Sequence, residues 1–179
     1  MRTAVPPANV MHGLELRQLE RSDLDSWLAY LTIPHVLENT SWAVRCSDDL
    51  LPLFASYEDQ APTSPRRLAI IDTGSGRLAG TIGFHTISDV NRSAEIAYDL
   101  APAYWGRGIA TAMCRAVTEW SFVHLGYVRV QATILETNLR SERVLAKSLF
   151  SYEGLLRSYR MVRGSPGDFK MYARISPVP

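Results

Sequence analysis

Two glycines bracket an arginine, Gly106-Arg107-Gly108, in the stretch PAYWGRGIATAM from Pro102 to Met113. The stretch joins a segment that alternates like a strand to a run at helical spacing. A loop at such a junction leaves backbone N–H groups without helical partners, and the helix dipole adds partial positive charge there. Glycine lets the chain curl against a ligand where a Cβ would interfere. The chemistry such a turn can do is to hold a phosphate or pyrophosphate on amides. Arg107 and, two turns into the helix, Arg115 are placed to add charge. The P-loop does not fit, because no Gly-Lys-Ser/Thr occurs in the chain. The dinucleotide fingerprint fails too: its third glycine falls on Ala112 or Met113, and no acidic residue ends a parallel second strand. On these residues alone a plain strand-to-helix turn stays open.

The other side chains of the chain exclude several chemistries. Cys46 and Cys114 form no CxxC pair and no zinc spacing. Cys114 falls in a helical run and reads as a small buried hydrophobe, and no disulfide is expected between the two. With 19 Lys and Arg against 18 Asp and Glu, the net charge of +1 gives no footprint for nucleic acid or an anionic membrane. No apolar run approaches the roughly 20 residues of a membrane helix. MRTAVPPANVMHG has no apolar core of a secretory signal, so the cytoplasm is the default compartment. At 179 residues, 46% of them hydrophobic, the chain is long enough for one α/β domain with a sizeable core. Residues 1–12 read as a flexible leader and 13–177 as that single domain.

The elements that must position the loop follow from periodicity. LELRQL (Leu14 to Leu19) alternates as a first strand. Ser22 offers an N-cap with Asp25 in the first turn of a helix that buries Leu24, Trp27, Leu28 and Leu31. HVLENT makes a short helix or turn, and SDDLLPLFASYEDQ a helix with Pro52 in or near its first turn. The period then changes. RRLAIID, RLAGTIGFHTI and AEIAYDL are strands of an antiparallel meander, turned at TGSG and DVNRS. A long helix runs from about Gly108 to Leu125, with Ile109, Met113, Ala116, Val117, Trp120 and Val123 as its apolar stripe and Gly126 as its C-cap. YVRVQATILET is a strand, NLRSERVLAK a helix capped by Asn138, and LLRSYRMV and DFKMYARI are two antiparallel strands joined across RGSPG. The order is β-α-α-β-β-β-α-β-α-β-β.

In this setting WGRGIA (Trp105 to Ala110) resembles the Gln/Arg-x-x-Gly-x-Gly/Ala segment of the GNAT acetyltransferases. NLRSERVLAKSLFSYEGLLRSY resembles the N-x-x-S-x-x-(V/L)-(L/A)-x-x-x-G-F-x-x-E-G segment of the branch that holds the ribosomal-protein N-terminal acetyltransferases. AEIAYDL and DFKMYARI fit the same branch, and the resemblance runs from about Leu14 to Ile175. It implies a single-domain α/β (α+β) fold, a mixed, mostly antiparallel sheet of about six or seven strands whose central pair splays, flanked by about four helices. It implies acetyl-CoA as cofactor and no metal. Amides of Trp105, Gly106, Arg107, Gly108, Ile109, Ala110 and Thr111 would hold the pyrophosphate. The edge from Tyr98 through Leu100 to Ala101 would pair with the pantetheine arm. Asn138 would bond that arm as well as cap its helix, and Ser141 would sit near the thiol end. Two positions depart from the pattern: Trp105 stands where the family has Gln or Arg, and Leu149 replaces the glycine that lets the helix end. A Cβ at that turn costs about 1 kcal/mol if φ is positive.

Acetylation of an amine by a thioester needs a neutral amine, a polarised carbonyl and a proton for the thiolate. The resemblance makes Glu95 the first candidate base, with a pKa raised by burial. His85 on the neighbouring strand is the second, and Ser141 is the proton donor, with Tyr152 and Tyr159 in reserve. Residues 32 to 47, among them His35, Trp42 and Arg45, and the tail from Tyr159 to Asp168 would read the acceptor. No acidic cluster marks an aminoglycoside groove, so the acceptor is a peptide N-terminus or a small amine. A homodimer is expected only by analogy. A weakly active acetyl-CoA sensor and a nucleotide-binding α/β protein are the competing readings.

Overall fold

The computed structural model describes residues 5–41, 44–59 and 61–177. Seven strands form one sheet: β1 (Leu14–Gln18), β2 (Arg66–Asp72), β3 (Leu78–Ser88), β4 (Ser93–Leu100), β5 (Arg129–Leu135), β6 (Ser151–Val162) and β7 (Ser165–Ile175). Their order across the sheet is β1-β2-β3-β4-β5-β7-β6, antiparallel except for the β4–β5 pair. Five helices accompany them: α1 (Leu24–Leu31), α2 (Pro34–Leu37), α3 (Ser47–Glu58), α4 (Ile109–Trp120) and α5 (Leu139–Lys147).

Both faces of the sheet are covered, which is why its inner strands read as nearly continuous apolar runs. Alternation sends Leu68 and Ile70 of β2 into the cluster under α4 and α5, and Ala69 and Ile71 into the cluster with Trp27, Leu31 and Phe54 of α1 and α3. Cys114 lies wholly inside the first cluster, where burial pushes its thiol up to about 12, so it behaves as a hydrophobe. Cys46 is exposed and free. Val10 and Met11 of the leader pack against the same cluster, and the Trp120 indole donates to the Val5 carbonyl at 2.7 Å.

A buried polar node fixes β4 from the α1 side. Arg67, 3% exposed, bonds Asp99 at 2.5 Å, the Thr81 hydroxyl at 2.8 Å and the Ala97 carbonyl at 3.0 Å. Asp99 also accepts from the Trp27 indole at 3.2 Å and from the Tyr30 hydroxyl. A buried ion pair matters through geometry more than through net energy. Here the geometry it sets is the course of β4 beyond Ala97.

Three local expectations are corrected. The first helical run starts from a capping box between Glu20 and Asp23, with the Asp23 carboxylate accepting the Glu20 N–H at 2.9 Å, and Ser22 is not its cap. Asp23 wins because Arg17 at 2.7 Å holds its carboxylate over that turn. Pro52 lies inside α3 beyond the first turn. The long helix widens into a π-type turn over Ser121–Leu125 before Gly126 ends it. The extra residue shifts the helical phase of this last turn, so Val123 is 76% exposed and Ser121 is buried.

Leu149 has φ 67. It occupies the left-handed position after α5, where the Phe150 N–H reaches the Leu145 carbonyl at 3.0 Å and the Leu149 N–H the Ala146 carbonyl at 3.2 Å. This is a Schellman closure, the turn that favours glycine. The Leu149 side chain is 61% exposed and gains little by burial. Leu149→Gly is expected to stabilise by about 1 kcal/mol and raise Tm by about 2–4 °C. A thermal melt checks this, and a Tm unchanged or lowered refutes it.

Candidate active site

The loop after β4 is built to leave amides bare. Pro102–Tyr104 form a single turn, closed by the Trp105 N–H on the Pro102 carbonyl at 3.1 Å. The Trp105 indole donates to the Leu100 carbonyl at 2.8 Å and the Tyr104 hydroxyl to Asp72 at 2.9 Å, so both aromatic shoulders are pinned. Gly106 and Gly108 then take φ 75 and 77. A Cβ on either would meet nothing within 4 Å. These glycines are there for their backbone angle and the open space above them. Among the described residues the N–H groups of Gly106 through Thr111 carry no hydrogen bond, and the Ala112 N–H to the Gly108 carbonyl, 3.0 Å, is the first helical bond. Successive bare amides at a helix N-terminus make an anion cradle.

The cradle opens into a cleft of about 620 Å³. Trp105, Gly106, Gly108, Ile109, Ala110 and Thr111 line it. So do Tyr98 and Leu100 of β4 and Asn138 and Ser141 of α5. Arg107 and Ala101 do not: the Arg107 guanidinium sits 5.5 Å from the Tyr104 ring, and Ala101 packs in the α1–α3 cluster.

A slot leads inward from the cleft. β4 pairs with β5 only from Ser93–Arg129 to Glu95–Gln131. Beyond that, β4 stays with β3 as far as Leu100–Gly80, and β5 stays with β7 as far as Leu135–Phe169. Each strand follows its other neighbour, and the two part. The Tyr98 phenol reaches across toward α5 and donates to the Ser141 carbonyl at 3.4 Å. Asn138 caps α5, accepting the Ser141 N–H at 3.0 Å, and its amide donates to the Asn39 carbonyl at 2.9 Å. One amide hydrogen is left over.

Glu95 stands at the fork, 3% exposed, on the face of β4 opposite the core residues Ala94 and Ile96. A bulge in β3 between Phe84 and Thr86 makes His85 the extra residue opposite it. His85 Nε2 lies 3.4 Å from the Glu95 carboxylate and Nδ1 2.9 Å from the Thr86 hydroxyl. The Thr133 hydroxyl of β5 and Arg160 of β6, at 3.0 Å, donate to the same carboxylate oxygen. This overturns the expectation of a raised pKa. Burial does push the Glu95 carboxyl up, but hydrogen bonds from His85 and Thr133 and the charges of His85 and Arg160 outweigh it and hold it at about 2.

The model of the acetyltransferase (GNAT) domain family matches residues 13–151. The chain belongs to the GNAT acetyltransferase family. The uncharacterized N-acetyltransferase YoaA of Bacillus subtilis (strain 168) is 31% identical over 92% of this chain and 94% of its own length. The solved ribosomal-protein-S5-alanine acetyltransferase from Vibrio fischeri matches with a TM-score of 0.81 at 19% identity, covering 94% of this chain and 96% of that one. The spermidine N-acetyltransferase from Vibrio cholerae in complex with CoA and spermine matches with a TM-score of 0.80 at 23% identity, covering 92% and 96%. No helix among the described residues is long and apolar enough to cross a membrane.

The remaining expected residues of this acyltransferase divide. Tyr152 and Tyr159 are largely exposed on β6, 5.4 Å from the Tyr172 ring and 5.8 Å from the Phe169 ring, and neither lines the cleft. His35 packs edge-on against Trp105 at 5.3 Å. The Arg45 backbone N–H donates to the Asp49 carboxylate at 2.8 Å, one residue ahead of the Cys46 N-cap of α3. Trp42 lies outside the described residues. The two segments expected to read the acceptor do touch: Arg163, at the turn between β6 and β7, donates to the carbonyls of Leu37 at 2.9 Å and Thr40 at 3.3 Å. Sequence reasoning missed Arg160 and Thr133. Alternation around Glu95 could have suggested Thr133, two residues beyond its register partner Gln131. Nothing local marks Arg160, which a register shift between Leu156 and Arg160 re-aims at the fork.

Proposed function

We propose that this acetyltransferase transfers acetyl from acetyl-CoA directly to a primary amine, in a ternary complex and with no acyl-enzyme. The observation that carries the reading is the slot between β4 and β5 opening beside a row of bare amides. The amides of Gly106 to Thr111 take the pyrophosphate, Tyr98 to Leu100 pair with the pantetheine arm, and Asn138 offers it the leftover amide hydrogen. The thioester then lies in the slot, where a backbone N–H of the parted strands polarises its carbonyl. The amine attacks from the Glu95 side, the C–N bond forms, and the C–S bond breaks. Ser141, one turn along from Asn138, returns a proton to the thiolate.

Glu95, held at about 2, is a poor acceptor for an ammonium proton. We assign it the role of holding the imidazole of His85. With Nε2–H directed at Glu95, Nδ1 takes the amine proton, directly or through water, in place of the Thr86 hydroxyl. The ion-paired state of Glu95 also favours a second reading, a cofactor sensor with weak turnover.

The acceptor side carries Arg160, which donates to Glu95 at 3.0 Å, and Arg163, which donates to the Leu37 and Thr40 carbonyls. Such a rim repels a polycation and suits a peptide α-amine. A turnover screen with acetyl-CoA against free amino acids, polyamines and peptides of varied N-terminus tests this. Peptides are expected to exceed spermidine in kcat/KM by about tenfold or more. Spermidine as the best acceptor would overturn the peptide assignment. CoA binding without turnover on any amine would favour the sensor.

A further inference from the structure

The cleft carries more positive charge than a pyrophosphate cradle requires. Arg140, Arg143 and Lys147 all line it. They stand at i, i+3 and i+7 of α5, one face of the helix. The helix sorts its charges: Glu142 turns the other way, to Lys170 at 2.8 Å and the Tyr172 hydroxyl at 2.9 Å of β7. The only carboxylate among the described lining residues, Asp99, is already bonded to Arg67 at 2.5 Å. Arg140 lies 4.4 Å over the Trp105 ring, at the mouth of the cradle. The face therefore runs from the bare amides toward the end of α5 as a ladder of cations without a carboxylate in the cleft to match.

We propose that Arg143 and Lys147 bind the 3′-phosphate of coenzyme A and make this enzyme discriminate coenzyme A from its dephospho form. The inference rests on the acetyl-CoA reading above. The neutral amides of the loop answer the pyrophosphate, leaving a dianionic phosphate on the ribose with no partner in the cradle. A phosphate monoester in reach of Arg and Lys forms charge-assisted hydrogen bonds. The two side chains are exposed, so their contribution is salt-dependent and of moderate size.

The test is calorimetric binding of CoA and of dephospho-CoA at low and physiological salt, to the unaltered protein and to Arg143→Gln/Lys147→Gln. Both positions are solvent-facing, and a melt shows that the variant folds. The unaltered protein is expected to prefer CoA by about tenfold at low salt, less at high salt. In the double variant the ratio should fall to about one, with dephospho-CoA affinity unchanged. Equal affinity for the two cofactors in the unaltered protein overturns the proposal, and so does a preference that survives the double substitution. Failure to bind either cofactor overturns the acetyl-CoA reading with it, so the two failures are told apart.

Discussion

Gly108→Asp is expected to abolish CoA binding and leave the fold standing. Gly108 is the N-cap of α4 at φ 77. A left-handed N-cap is a position that Asp tolerates better than most residues, at about 1 kcal/mol of strain. A carboxylate there caps bare amides and meets the favourable end of the dipole, which offsets the strain. A Cβ meets nothing within 4 Å, so no neighbour must move. The melting temperature should change by no more than a few degrees. Binding has no such compensation. The carboxylate occupies the amides meant for the pyrophosphate and repels it, by about 4 kcal/mol for unit charges 4 Å apart near a protein surface. The expected loss of affinity is a hundredfold or more. Gly108→Asn has the same shape and strain without the charge and should lose only about tenfold. Titration calorimetry with CoA and a thermal melt on both variants check the pair. Micromolar CoA binding retained by Gly108→Asp would place the pyrophosphate somewhere other than this loop.

As a turn that leaves amides bare the loop was legible because its signal is local; that it serves coenzyme A came from the family pattern. Two glycines, a strand before and an amphipathic helix after are all within one short stretch, and the amide arithmetic of a helix N-terminus does the rest. The Asn138 cap was legible for the same reason; the cost at Leu149, whose φ of 67 is what a helix-closing glycine position demands, was announced by the family pattern. The fork between β4 and β5 depends on each strand's other partner, which no single segment encodes; only the family pattern announced it. The environment of Glu95 was misread because His85 was read as a second base and not as its hydrogen-bond partner, and because its other partners are far away in the chain. Arg160 lies 65 residues on and Thr133 38 residues on. Local reasoning saw a carboxylate about to be buried and counted only the desolvation. Val123 failed for a different reason: helical phase carries across a run only while each turn keeps its 3.6 residues, and the π-type turn at Ser121–Leu125 breaks that phase.

His85→Gln and Glu95→Gln are each expected to lower kcat by about 10²–10⁴-fold. Neither residue lines the cofactor cleft, so the Kd for CoA should stay within about twofold of the unaltered value in both. If Glu95 acts by holding the imidazole, the two residues work as a unit, and the double variant should be no slower than the worse single one. Glu95→Gln has a second, independent signature. The folded pKa of about 2 lies below the ordinary carboxyl value of 4.5. The ionised carboxylate therefore stabilises the fold above about pH 4.5, and this contribution is lost as pH falls toward 2. At 3% exposure little of it is screened by solvent, and the shift corresponds to roughly 3 kcal/mol at neutral pH. Denaturant unfolding of the unaltered protein and of Glu95→Gln should differ by about that amount at pH 6, with the gap closing progressively below pH 4.5. Loss of rate that multiplies in the double variant would mean that the two side chains act separately. Full turnover by His85→Gln, with Glu95→Gln inactive, would return the proton to the carboxylate. In that case Arg160 and Thr133 would have to release Glu95 when the acceptor binds, and its low pKa would belong only to the enzyme without substrate.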